Sequence, residues 1–154
     1  MAPTTPCSLI NFKTENKQRL LDEFHSDLMD RRLRLLIYAV SAYCWETFHK
    51  PILITEILRS PDEQREIYKN DPAYQQQPWL SVHEYWRAAD LRTLAFTSGE
   101  IINLVGWLND MIEYDKGNHP TLLYHEVSEH GLHLHLQVDQ SNVLTMKYHS
   151  ADPV

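Results

Sequence analysis

The apolar residues of this chain change their period several times, and each change marks an element. From Thr14 to Lys50 there is no Gly or Pro, and Leu20, Phe24, Leu28, Leu36, Val40 and Tyr43 recur at helical spacing. The polar stretch DLMDRRLR in the middle predicts two helices or one bent one, and Pro51 ends the region. ILITEIL (52 to 58) is rich in β-formers with a mixed pattern and predicts a buried strand. SPDEQREIYKN (60 to 70) begins a helix: Ser60 stands at the N-cap, Pro61 in the first turn, and Asp62 and Glu63 near the positive helix end. Residues 71 to 86 carry two Pro and three consecutive Gln and predict a loop.

A short strand from Ala88 to Thr93 follows, then a helix over 100 to 114 with Thr97 or Ser98 as its cap. Residues 115 to 120 read as a turn and TLLYHEVS (121 to 128) as a strand. In GLHLHLQV (131 to 138), Leu and Val alternate with His133, His135 and Gln137, which is the period of a strand. Glu129-His130-Gly131 closes a hairpin between these two strands. Residues 1 to 12, with two Pro and little pattern, predict a flexible amino-terminal arm, and residues 13 to 150 a single domain. The order of elements predicts an α+β fold with helices packed on a small, mainly antiparallel sheet.

Composition narrows the partners. The 154 residues carry a net charge of −7, which argues against nucleic acid or an anionic membrane surface as a partner. No apolar run approaches the roughly 18 to 20 residues of a membrane span, and the first residues lack the basic start and apolar core of a secretory signal. Location is otherwise open. Cys7 and Cys44 have no metal-site spacing; Cys44, in an apolar run, reads as a core residue.

Histidine changes the picture more. Four of the nine fall between His125 and His135. In a strand, His133 and His135 project side by side, an arrangement that packing alone rewards little. His83 and Asp90, in SVHEYWRAAD, form a second candidate group. Two His and one Asp with a water would make a four-coordinate catalytic zinc site.

Four stretches, in order, resemble a known family. ITEILRSPDEQREIY, SVHEYWRAAD, the helix containing Gly106 and Trp107, and GLHLHLQV resemble the zinc peptidases grouping D-alanyl-D-alanine dipeptidases and carboxypeptidases, L-alanyl-D-glutamate endolysin peptidases, penicillin-insensitive murein endopeptidases and the hedgehog signalling domain. The likeness spans about Ile52 to Val138, with Arg59, Ser60, Gln64, Ser81, His83, Ala88 and Asp90 at matching positions. It implies a hedgehog/D-Ala-D-Ala peptidase-like fold, with Zn2+ held by His83, Asp90 and His135. His133 would be the general base, with His130, three before it, matching a further family His. His133 is the alternative third ligand. Arg59 would stabilise an oxyanion or hold a substrate carboxylate, and Gln64 and Ser81 would orient substrate.

The implied activity is hydrolysis of peptidoglycan stem peptides or cross-links, as in a phage endolysin or virion-associated lysin. The alternatives are a non-catalytic zinc-binding or interaction module, and a structural component of a larger, viral assembly. Two departures bear on activity. Trp86 stands where the family motif has Gly, and no carboxylate stands three before either candidate ligand, where Leu132 or His130 is found. Glu126 or Glu129 would have to supply one from the hairpin.

Overall fold

The computed structural model describes residues 8–114, 119–127, 131–141 and 143–147. The polar break in the amino-terminal region separates α1 (Lys17–His25) from α2 (Arg31–Phe48). Asp30 ends the break by accepting a hydrogen bond from the Arg32 backbone N–H, which caps α2. Residues Thr14–Asn16 form a separate 3-10 turn before α1.

The predicted arm includes a strand. Ile10–Phe12 form β1, which pairs in parallel with β2 (Ile52–Glu56). Three residues are too few to display an alternating pattern, so this strand exists only because the edge of β2 is there to pair with. β3 (Ala88–Arg92), β5 (Leu122–Glu126) and β6 (Leu132–Gln137) complete a sheet of order β1-β2-β3-β6-β5, antiparallel everywhere except β1–β2. The α+β class with a mixed five-stranded sheet therefore holds.

Three further elements were not expected. α4 (Pro72–Gln76) lies in the presumed loop, after α3 (Pro61–Ile67); Asp71 caps it and Pro72 is its first residue, the same start signal that marked α3. Ile112–Glu113 (β4) turns out of α5 (Ser98–Met111) and pairs with β7 (Thr145–Met146) in a separate ribbon.

The core explains which way the sheet faces. Leu20 and Phe24 of α1, Leu33, Ile37, Val40 and Cys44 of α2 and Leu104 and Leu108 of α5 pack with Ile52, Ile54, Leu91, Leu134 and Leu136 of the sheet. Burial, and then the charge of Glu100, pushes the Cys44 thiol up to about 12, so it serves as a small apolar side chain. With helices on this face, alternation sends Asp90, Arg92, His125, His133 and His135 to the other. Among the described residues, no helix is long and apolar enough to cross a membrane.

Candidate metal centre

The face away from the helices gathers its polar groups by register. His135 lies opposite Asp90, His133 opposite Arg92, and His125 opposite His133. A bulge between Ile54 and Glu56 shifts β2 so that Glu56, rather than Thr55, comes level with Asp90. His83 arrives from a 3-10 turn, Val82–Tyr85, whose capping box uses Ser81 and Glu84.

Three ligand atoms converge. Asp90 Oδ1 lies 3.2 Å from His83 Nε2 and 2.9 Å from His135 Nδ1. Ligands around a tetrahedral zinc with bonds of ~2.0–2.1 Å stand about 3.3 Å apart, so these separations are close to what the ion needs. His83, Asp90 and His135 form a group able to hold a metal.

The outer hydrogen bonds expose the correct nitrogen on each ring. His83 Nδ1 lies 2.8 Å from the Ile57 carbonyl, which only accepts; Nδ1 carries the hydrogen and Nε2 is left for a metal. Gln137 donates its amide N–H to the Pro120 carbonyl, 2.9 Å away, which turns its oxygen toward His135 Nε2 at 3.3 Å. That nitrogen donates, and His135 Nδ1 is left for the metal. His133 Nδ1 donates to the Gly131 carbonyl at 3.0 Å, so its bare Nε2 faces Asp90 Oδ2 at 3.6 Å.

Electrostatics call for positive charge beside Asp90. Burial disfavours the Asp90 carboxylate, yet His83 and His135 outweigh burial and hold it well below the usual carboxylate range. Burial likewise opposes charge on His83, but Asp90 and then Glu56 outweigh it and the pKa is raised. For His135 burial prevails, aided by the charges of His83 and His133, and the pKa is lowered. Asp90 thus favours positive charge beside it, a requirement that a divalent cation would meet. The residues fit a metal ion.

Arg59 does reach the site. It is 7% exposed, donates to Gln64 Oε1 at 2.9 Å, pairs with Glu56, and stands 3.7 Å from Asp90 Oδ2. Burial alone would lower its pKa, but Glu56 and then Asp90 outweigh this and raise it. Gln64 and Ser81 lie behind the site. Gln64 is buried against Arg59, and the Ser81 hydroxyl accepts from the His83 backbone N–H, 3.2 Å away, so each orients a site residue. Neither lines the adjoining cleft of about 290 Å³, whose walls include Lys13, Glu56, Arg59, Asp90, Arg92 and His133. His130 and Glu129 lie outside the described residues, and alternation points Glu126 away from this face.

Two groups escaped the sequence. Glu56 Oε2 lies 3.6 Å from His83 Nε2 and places a carboxylate beside the site from β2. Its only signal was a charged residue inside an otherwise apolar strand. His125 contributes an imidazole whose centroid is 4.8 Å from that of His133; its place in TLLYHEVS gave a face but no partner. Trp86 does not block the cleft. Its backbone is left-handed (φ 59°), closing the turn that carries His83, and its side chain packs against the core. A non-Gly residue in that conformation costs of order 1–3 kcal/mol.

Comparison with protein-family models, curated proteins and solved structures found no match to this chain.

Proposed function

We propose that the chain is a zinc-dependent peptidase that hydrolyses peptide bonds in peptidoglycan stem peptides or cross-links. The observation that carries the reading is the convergence of His83 Nε2, Asp90 Oδ1 and His135 Nδ1 beside the bare Nε2 of His133, at the edge of an open cleft. Two bare imidazole nitrogens and one carboxylate, next to an uncommitted base, make the donor set of a hydrolytic zinc site. Zinc in such a site polarises a carbonyl and lowers the pKa of water to about 7.

The chain's own groups divide the remaining work. His133 Nε2 accepts a proton from the attacking water and returns it to the leaving amine, the general acid–base role that imidazoles most often fill. The proton on His133 Nδ1 stays with the Gly131 carbonyl, which keeps the ring from turning. Arg59 is fixed by Glu56 and Gln64 and presents positive charge to the oxyanion side of the cleft. Lys13 and Arg92 on the walls favour a substrate that carries carboxylates, as stem peptides do. One observation favours a non-catalytic zinc-binding module instead: Arg59 already has Glu56 and Gln64 as partners.

The test measures zinc content together with release of amino groups from peptidoglycan. About one tightly held zinc per chain is expected, lost in His135→Ala and kept in His133→Ala. Loss of a general base lowers the hydrolytic rate by about 10²–10⁴-fold. Zinc bound without hydrolysis of any wall substrate favours the binding module. A wild-type chain that takes up no zinc removes both readings.

A further inference from the structure

His125 has no task in the site described above, yet its surroundings are specific. Its Nε2 is buried without a hydrogen-bond partner among the described residues. Buried polar atoms in native structures are nearly always partnered, so such a nitrogen requires a reason. The rings around it supply one. Ring centroids lie 4.8 Å away at His133 and 5.6 Å away at His135, and the three imidazoles offer nitrogens within 4.8 Å of one another.

We infer that His125 and His133 hold a second divalent metal ion beside the first, with Asp90 as a bridge between the two positions. The Asp90 carboxylate is divided in the required way: Oδ1 faces His83 and His135, while Oδ2 faces His133 Nε2 at 3.6 Å. A carboxylate used through both oxygens is a common link in paired-metal sites, where the ions stand ~3.5–4 Å apart. His135 belongs to both groups of ligands, but its bare Nδ1 is directed at Oδ1 and so serves the first ion.

The two positions differ in strength for a visible reason. The first has the carboxylate at closest range, with Glu56 nearby. The second has two imidazoles and only the far oxygen of Asp90, which the Arg59 guanidinium already approaches at 3.7 Å. A dication there meets Arg59 directly, so it binds more weakly and fills only when metal is in excess. Filling it engages His133 Nε2 and takes that nitrogen out of proton transfer. This consequence, unlike the binding itself, rests on the peptidase reading.

Metal-free protein is titrated with Zn2+ against a chromophoric chelator. The expected result is two zinc ions per chain, one tight and one weaker, with only the tight one remaining in His125→Ala and in the nearly isosteric His125→Gln. Circular dichroism identifies a variant that has not folded, and the Gln variant then carries the comparison. A single class of zinc in the wild type, or two classes persisting in the folded His125 variants, overturns the inference. Peptidoglycan hydrolysis on the same samples separates the two proposals. Two bound zinc ions with no hydrolysis at any zinc level remove the peptidase reading and leave the second position standing. Hydrolysis with only one zinc ever bound does the reverse. If both stand, hydrolysis falls as the weaker zinc is added.

Discussion

The direction in which His135 offers its lone pair depends on one neighbour, Gln137. The Gln137 amide is held by the Pro120 carbonyl at 2.9 Å and accepts from His135 Nε2 at 3.3 Å. Gln137→Met keeps the volume and removes both bonds. The altered chain should fold and bind zinc about 10–100-fold more weakly, the usual cost of losing an outer partner of a metal-binding His. Zinc competition titration checks this, and an unchanged affinity would show that the ring is oriented by packing alone. At this scale the sequence showed the face and not the atom. Alternation in LHLHLQ placed His133, His135 and Gln137 together, because side-chain direction in a strand is a local property. Which nitrogen is bare on His83 and on His135 depends on the Ile57 carbonyl and, through Gln137, on the Pro120 carbonyl, both supplied from other parts of the chain and encoded by no spacing.

Elements with their own start signals were readable, and elements that borrow a partner were not. α3 announced itself through Ser60 and Pro61, and α4 carried the same signal in Asp71 and Pro72 beneath a Gln run that looked like a loop. β1 and the β4–β7 ribbon have two or three residues each and depend on pairing. The carboxy-terminal segment is also tied down by charge. Arg32, in the first turn of α2, pairs with Asp30 at 2.7 Å and with Asp139 at 3.1 Å. Burial pushes both carboxyls upward, but hydrogen bonds outweigh it and leave both pKa values lowered, from Arg32 for Asp30 and from Ser141 and then Arg32 for Asp139. A lowered folded pKa contributes stability that is present above the unfolded value, about 3.9, and is lost as pH falls through the folded value. Arg32→Gln should therefore cost up to ~1 kcal/mol at pH 7, the range for incompletely buried pairs. The difference from wild type should shrink as pH is taken below about 3.9. Urea unfolding at several pH values measures it; a difference that stays constant into acid would mean that Arg32 acts through packing.

For the whole molecule, the candidate metal centre draws on parts of the chain that are distant in sequence. His83 comes from a turn, Asp90 from β3 and His135 from β6, the last two aligned across the ladder. An ion that binds only this folded arrangement stabilises it by mass action, by about 2.7 kcal/mol at a hundred times its Kd. For a domain of this size that raises the Tm by roughly 5–10 °C. Thermal melts with and without zinc should show the rise in wild type and little or none in His83→Ala. An equal rise in both would place the stabilising zinc elsewhere.

The ligand set His83, Asp90 and His135 was what the family resemblance implied; local periodicity and capping chemistry were enough to establish the α+β class, the break between α1 and α2 and the strand with paired imidazoles. Each of these last three follows from side chains a few residues apart, which the chain carries whatever its tertiary contacts. Tertiary structure decided the rest. The bulge in β2 brings Glu56 level with Asp90, β5 sets His125 against His133, and the left-handed Trp86 turns its ring into the core. Those outcomes depend on the register between strands and on the space left by neighbouring elements, quantities that arise only when distant segments meet.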